Sequence, residues 1–228
     1  MLDQVTRNWG DWDNFIRTVK ELAVNLKNLH MKKILVLIFL MNSLHFFGQE
    51  LTYEDFKSII PFLKTEDYKG AFNRSQELLN ATKPDTTDIR AQIRYMNIYS
   101  SAGMVTLEQM SHKEFGKNLK KFVGQKLKMP GHPCLDTIAK APFNSFQFLK
   151  NEKKELHGYT MVANKEKINI LLFEYYNFKD KYLPEDYIGN NVRCGGILES
   201  YDVNPNKSLI WIGRLHISNA YVRRFTPN

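Results

Sequence analysis

The sequence predicts an α+β protein in which helices precede a small, strongly curved β structure. Between residues 52 and 123 the apolar side chains recur three and four positions apart, which is the helical period. From Phe122 onward, short segments alternate apolar and polar residues, as β-strands do. Gly, Pro and Asn, which are typical of turns, separate these segments. The adjacent glycines Gly195 and Gly196 indicate a bulge or a sharp bend. We therefore expect a helical hairpin or bundle followed by a small antiparallel β-barrel or a highly bent sheet.

Length and composition allow one large or two small domains. The chain has 228 residues, of which 43% are hydrophobic and 13% aromatic, and this is enough to fill a core. The changes of pattern predict four segments: a possible upstream extension or amphipathic helix (1–30), a signal peptide or short anchor (31–48), a helical unit (49–121) and a β domain (122–228). The net charge of +8 favours acidic partners.

Residues 31–48 have the composition of an export signal. Lys32 and Lys33 give a positive start, and an unbroken apolar run follows from Ile34 to Met41. The apolar part ends at Phe47 and is only fourteen residues long, whereas a membrane span needs about 20. We predict a signal peptide and therefore a periplasmic or secreted bacterial protein. A short membrane anchor and a buried core helix are the alternatives.

Residues 1–30 allow two interpretations. In the first, which we favour, Met31 is the functional start and the upstream residues are not made. In the second, residues 2–29 form an amphipathic helix on a membrane or a partner, since their apolar residues recur at helical spacing. The residues of this apolar stripe are Leu2, Val5, Trp9, Trp12, Ile16, Val19, Ala23 and Leu26.

Helical segments are expected from Thr52 to about residue 123. Thr52 is a candidate N-cap of the first helix, and Pro61 interrupts or ends that helix. The next helix stops before Pro84, and another begins after a Thr-Asp cap and has Gly103 near its end. A short amphipathic helix follows within "TLEQMSHKEFGKNLKKFVG".

Part of this helical region resembles a tetratricopeptide-type repeat. "YKGAFNRSQELLNATKPD" is similar to the second helix of such a repeat, with Ala71 at the small packing position and Pro84 near the closing proline. "DIRAQIRYMNIYSSAGM" is similar to the first helix of a following repeat, although the Gly/Tyr pairing is missing. The resemblance covers residues 64–122, and a stable solenoid needs at least three repeats. It therefore implies a helical hairpin or a unit of three to four helices.

The β domain is predicted to contain three strands, a short helix or loop, and two further strands. The segment from Ile168 to Tyr176 is apolar on both faces and is therefore a central strand. The last two strands form a hairpin around "NPNK". This order resembles the oligonucleotide/oligosaccharide-binding fold (OB-fold). The resemblance implies a small barrel with an OB-like binding face, and another bent antiparallel sheet is the alternative.

Two sets of side chains are candidate ligand-binding residues. The basic set lies where the helical unit meets the β domain and contains Lys117, Lys120, Lys121, Lys126 and Lys128. Its expected partner is an acidic glycan, a lipid headgroup or an acidic protein surface. The aromatic set, which would stack on the bases of a nucleic acid, contains Tyr159, Tyr175, Tyr201 and Trp211. The alternatives are ordinary solvated lysines and aromatic core packing.

The sequence lacks the motifs of common enzyme classes. It contains no GxSxG, HExxH, phosphate-loop or dinucleotide-binding glycine motif. Glu174 is an unusual acid within an apolar strand, and we expect it to face outward or to pair with an arginine. His216 is expected at the surface or at the end of the barrel. We predict no catalytic residue, no cofactor and no metal site.

Cys134 and Cys194 are the two cysteines of the chain. In an oxidising compartment they are candidates for one disulfide, and two inert buried thiols are the alternative. Neither lies in a CxxC motif, and His132 near Cys134 does not complete a set of four metal ligands.

Two functions remain open at this point. The first is an exported, non-catalytic binding or scaffold protein. The alternative is an intracellular or membrane-anchored nucleic-acid-binding protein with an OB-like face. Export distinguishes the two, because an exported protein meets little nucleic acid.

Overall fold

The computed structural model describes residues 16–18, 20–21, 50–81, 87–136, 143–150 and 152–226. The chain divides into two compact units, Met1–Gly48 and Gln49–Asn228. In the first unit the described residues are helical, and the predicted signal segment lies outside them. Within the described ranges, none of the helices combines the length and the apolar character that crossing a membrane requires.

The second unit begins with helices whose ends follow local signals. They are α1 (Tyr53–Lys57), α2 (Ile60–Lys64), α3 (Tyr68–Ala81), α4 (Asp88–Thr106) and α5 (His112–Lys120). Thr52 caps α1 as predicted, because its side chain accepts a hydrogen bond from the backbone N–H of Asp55. Pro61 lies in the first turn of α2, where its missing N–H costs little, so the predicted interruption is confirmed.

Helix α4 is the central helix of the unit and is buried on nearly all sides. It packs against α1, α3 and α5 and also against β1, β4 and β6 of the sheet. It therefore buries polar residues, such as Arg90 and Arg94, together with its apolar stripe. Gly103 lies in the last turn of the helix, near its end as predicted. The ring of Tyr68 occupies the space that a Cβ at this position would need.

Six strands follow, one more than predicted. They are β1 (Lys126–Leu135), β2 (Phe146–Lys150), β3 (Leu156–Ala163), β4 (Ile170–Phe178), β5 (Asn191–Val203) and β6 (Trp211–Arg224). A single 3₁₀ turn, Pro184–Asp186, lies between β4 and β5. The predicted central strand is confirmed in β4, where Leu171 and Leu172 point to opposite faces and are both buried.

The strands form one mixed and highly curved sheet. Their hydrogen-bonded order is β1-β2-β3-β4-β6-β5, and β5 pairs back with β1. The α+β class and the strong curvature are therefore confirmed. The expected all-antiparallel pairing is wrong, since β1 pairs with β2 and β4 pairs with β6 in parallel. The predicted bulge at the twin glycines is present as a register shift between Gly195 and Ile197.

The helices and the sheet share one hydrophobic core. The ring of Phe115 in α5 occupies the space beside Gly213 of β6. At the start of α4, the carboxylate of Asp88 forms ion pairs of 2.7 Å with both Lys126 and Lys128 of β1. The change of sequence pattern near Phe122 therefore marks a change from helix to strand and does not divide the second unit into two cores.

Candidate functional site

The outer surface of β3, β4 and β6 carries a group of rings together with one arginine. We call this surface the aromatic face, and its residues are Tyr159, Phe173, Tyr175, Trp211, Arg214 and His216. Tyr159 lies opposite Tyr175 in the β3–β4 ladder. In the β4–β6 ladder, Tyr175 lies beside His216, and Phe173 lies beside Arg214. The pairing register therefore brings side chains from three strands to the same side of the sheet.

The rings of the aromatic face form a connected row. The ring centroids of Tyr159 and Tyr175 are 5.3 Å apart, and those of Tyr175 and His216 are 5.4 Å apart with 12° between their planes. Phe173 lies 6.1 Å from Tyr159 on one side and 6.1 Å from Trp211 on the other. All five rings are half-buried. The rings pack against one another, and part of each ring surface remains accessible to solvent.

Arg214 adds a positive charge to this row. Its guanidinium carbon lies 4.5 Å from the ring centroid of Trp211 and 5.9 Å from that of Phe173. These distances are typical of cation–π contacts. Its Nε has no hydrogen-bond partner within the described part of the chain. Arg214 thus lies against two rings of the row, with its Nε buried.

Two members of the aromatic face, His216 and Tyr159, also carry polar groups. His216 lies at the surface, as expected, and its Nε2 is 3.0 Å from the Oδ2 of Asp202 in β5. Burial raises the pKa of Tyr159 to about 12, so its hydroxyl is neutral at physiological pH and can donate a hydrogen bond. The face therefore offers flat apolar area, one cation and several hydrogen-bonding groups.

The structure brings together three of the four aromatic candidates. Tyr159, Tyr175 and Trp211 belong to the aromatic face, whereas Tyr201 does not. Tyr201 lies opposite the fully buried Leu215 in the β5–β6 ladder and packs against the core. The sequence prediction missed Phe173, Arg214 and His216 as members of the face. The alternation in "LLFEYYNF" and "GRLHISN" was the signal that could have found them.

The five candidate lysines have different environments. Lys126 and Lys128 bind Asp88, and their hydrogen bonds lower the pKa of that carboxyl to about 2. Lys117 and Lys120 are exposed in the last turn of α5. The remaining one, Lys121, is 3.4 Å from the side-chain oxygen of Asn118 and lines a cleft between helices.

Glu174 is a core residue, so the expectation that it faces outward or pairs with an arginine is wrong. Its side chain is fully buried, and its Oε2 accepts a hydrogen bond of 2.5 Å from the hydroxyl of Tyr176. Burial raises the pKa of Glu174 to about 7, while the neighbouring hydroxyls of Tyr176 and Tyr95 act in the opposite direction. The Oε1 of Glu174 and the hydroxyl of Tyr95 do not reach hydrogen-bonding geometry with any group of the described chain.

The predicted disulfide is absent, because Cys134 and Cys194 are free and buried thiols. Cys134 lies near the end of β1, where its backbone N–H donates to the carbonyl of Asn190, so Cys194 lies four positions further along the neighbouring chain segment. Four positions of an extended strand span about 13 Å, whereas a disulfide requires Cα atoms within about 7 Å. Burial also raises the pKa of Cys134 to about 11, which makes its thiol unreactive.

Comparisons with known proteins find no match: no protein-family model, no curated protein and no solved structure resembles this chain. Within the described ranges, no group of three or more His, Cys, Asp and Glu side chains is arranged to hold a metal ion. The geometry of the surfaces and clefts is therefore the basis for the functional argument.

Proposed function

We propose that this protein is an exported, non-catalytic binding protein whose ligand, an acidic oligosaccharide, lies on the aromatic face. The observation that carries the proposal is the connected row of five rings with Arg214 among them. Rings give flat apolar contact, and a guanidinium gives charge and directed hydrogen bonds. A chain of sugar rings with acidic groups matches both properties.

The order of the strands supports an OB-like barrel. We take β1 and β2 as two halves of one interrupted strand, because Cys134 near the end of β1 pairs with Phe146 at the start of β2. The sheet then has five strands, and the third strand pairs in parallel with the fifth. OB-folds bind oligosaccharides and oligonucleotides on the face of their second and third strands. In this protein those strands are β3 and β4, which carry Tyr159, Phe173 and Tyr175.

We also propose that α3 and α4 form a tetratricopeptide-like hairpin. The two helices pack against each other, and Ala71 is completely buried at the small packing position of such a repeat. Because α4 also packs on the sheet, the hairpin supports the barrel and is not the start of an extended solenoid.

A single-stranded nucleic acid is the second candidate ligand. The near-parallel stack of Tyr175 and His216 favours it, because solvent-facing rings in such a row also stack on bases. The net charge of +8 favours a polyanion of either kind. The compartment separates these candidates, since acidic glycans occur outside the cell and nucleic acids mainly inside it.

Export predicts a shortened chain in the native cell. The intact mass of the protein purified from that cell is expected to correspond to a chain that begins near Gln49. A mass that includes Met1 would contradict export and would favour the nucleic-acid candidate or a membrane-anchored form.

Loss of a ring from the aromatic face is expected to weaken binding. Stacked rings contribute about 1–3 kcal/mol each in proteins that bind single strands, so Trp211→Ala and Tyr175→Ala should each weaken binding by about 5- to 150-fold. The measurement is fluorescence anisotropy with a labelled heparin oligosaccharide and, separately, with a labelled oligothymidylate.

Tyr53→Ala is the matched control, because Tyr53 is an exposed tyrosine on α1, outside the aromatic face. It should bind both probes as the wild type does. If only the oligothymidylate responds to the two variants of the face, the second candidate is correct. If both probes bind the folded variants as tightly as the wild type, the aromatic face is not the binding site.

A further inference from the structure

Two loops of the sheet each present an exposed isoleucine, and we call them the isoleucine loops. One consists of residues 164–169, which join β3 to β4, and it carries Ile168. The other consists of residues 204–210, which join β5 to β6, and it carries Ile210. The two residues are 73% and 69% exposed, the highest values among the large hydrophobic residues of the described chain.

The isoleucine loops lie side by side at one end of the sheet. Each leads into one of two strands, β4 and β6, that pair in parallel, so both loops are at the same end. The backbone N–H of Ile170 donates a hydrogen bond of 2.9 Å to the carbonyl of Ile210. The side-chain nitrogen of Asn169 donates one of 2.7 Å to the carbonyl of Leu209. The exposed isoleucines therefore belong to one surface, and a group of exposed apolar residues marks an interaction site more often than a single one does.

An asparagine side chain fixes the backbone of each loop. The side-chain oxygen of Asn164 accepts a hydrogen bond of 2.9 Å from the backbone N–H of Ile168. The side-chain oxygen of Asn204 accepts one of 3.0 Å from the N–H of Asn206, and its nitrogen donates one of 2.8 Å to the carbonyl of Trp211. Such local bonds hold a turn in one conformation, so little further ordering is needed when a partner binds.

The isoleucine loops carry a net positive charge. They contain three exposed lysines and one acid, Glu166; the lysines are Lys165, Lys167 and Lys207. A second carboxylate, that of Glu66, lies beside the first loop and accepts hydrogen bonds from the backbone N–H of Lys165 and from the hydroxyl of Tyr68. The exposed isoleucines thus protrude among cations.

The exposed apolar residues at the opposite end of β4 have different surroundings. Leu183 and Ile188 are 60% and 38% exposed in the connection from β4 to β5, residues 179–190. That connection contains three acids and two lysines, so its net charge is negative. Of these two ends of β4, only the one with the isoleucine loops combines exposed apolar side chains with an excess of cations.

We propose that the isoleucine loops dock on the surface of an anionic lipid bilayer. Apolar side chains at the tips enter the boundary between headgroups and acyl chains, and lysines beside them meet the anionic headgroups. A protein partner fits this surface less well, because the centres of protein–protein interfaces are depleted in lysine. The proposal uses loop tips and not the row of rings, so it and the proposed function fail independently.

The test places a polarity-sensitive fluorophore on one isoleucine loop of the full chain. Asn206→Cys supplies an exposed thiol for the label, whereas the thiols of Cys134 and Cys194 are buried. We expect the emission to rise and to shift to shorter wavelength with vesicles of phosphatidylcholine and phosphatidylglycerol, and to change little with phosphatidylcholine alone. The label reports on the loop itself, so attachment of another segment to the vesicle does not produce this signal.

Loss of an apolar tip or of a charge is expected to weaken docking. Ile168→Ser should raise the lipid concentration at half-response at least about fivefold, because less apolar surface leaves water. Lys167→Gln should raise it about fivefold, which is the effect of one basic residue near an anionic leaflet. Both residues are exposed, so both variants should fold as the wild type does.

Leu183→Ser and Lys181→Gln are the matched controls, because they remove an exposed aliphatic side chain and an exposed lysine from the opposite end of β4. Both should respond to vesicles as the wild type does. No emission change with anionic vesicles, or an equal change with neutral ones, would overturn the proposal. An emission change that grows with protein concentration without vesicles would also overturn it, since a second copy of the chain would then cover the isoleucines.

Discussion

A chain that consists of residues 122–228 alone is expected to remain unfolded, because the sheet borrows part of its core from the helices. Helix α4 packs against β1, β4 and β6, and the ring of Phe115 from α5 packs beside Gly213. Without the helices these surfaces are exposed to water, and burying one large apolar side chain is worth about 1.5–3 kcal/mol. The loss of several such contacts is comparable to the 5–15 kcal/mol by which a typical domain is stable.

The measurement is urea denaturation followed by far-UV circular dichroism. The matched control is a chain of residues 49–228, which contains the complete second unit and should unfold in one cooperative transition. The shorter chain should show no transition. A cooperative transition of residues 122–228 with a strand-rich spectrum would contradict the single shared core and would restore two separable modules.

The substitution Glu174→Gln is expected to stabilise the protein at neutral and higher pH. The carboxyl is fully buried, and its pKa is raised from 4.5 to about 7, so ionising it inside the fold is costly. Glutamine has the same shape and never ionises. Its oxygen can accept the hydrogen bond that Tyr176 donates to Glu174 in the wild type. At pH 8 the gain is on the order of 3 kcal/mol, the free-energy equivalent of the pKa shift.

The stability of the wild type depends on pH because Glu174 loses its proton at a higher pH in the folded state than in the unfolded state. Between pH 4.5 and about pH 7 the folded protein keeps the proton on Glu174, whereas the unfolded chain has lost it. The folded state then binds more protons than the unfolded state, so the stability of the wild type falls as pH rises through this range. The Gln variant should lack this decline. The two proteins should therefore have similar stability near pH 4 and diverge up to about pH 7.

The measurement is the free energy of unfolding in urea at several values of pH. At pH 8 the variant should also melt roughly 6–12 °C higher than the wild type. Glu199→Gln is the control, because Glu199 is an exposed glutamate on β5. It should change the stability little at any pH. A Glu174→Gln variant that is less stable than the wild type at pH 8 would show that the ionised carboxylate stabilises the core.

Helix ends and a β-bulge were predictable from the sequence, because they depend on residues that are close together in the chain. Thr52 accepts the capping hydrogen bond at the start of α1, and Pro61 falls in the first turn of α2. Gly195 and Gly196 lie at a bulge of β5. These features depend on residues at most a few positions apart, so they can be recognised without knowing what packs against them.

The environments of the candidate lysines were not predictable in the same way. Lys126 and Lys128 of β1 pair with Asp88 of α4, which is 38 and 40 residues away in the chain. The lysines that lie close together in the sequence therefore have different partners in the fold. No local sequence pattern indicates which of these lysines pairs with a carboxylate.

The sequence by itself determined that side chains alternate between the two faces of each strand. Only the tertiary structure decided which of the two faces is buried. Alternation puts Glu174 on one face of β4 and Tyr175 on the other. Hydrophobicity favours the wrong assignment, with the acid outside and the ring inside. The curved sheet instead encloses Glu174 beside Tyr176 and Tyr95 and leaves Tyr175 in the solvent-facing row. The side that is buried depends on α4 and on neighbouring strands, whose contacts with β4 are distant in sequence and form only when the chain folds.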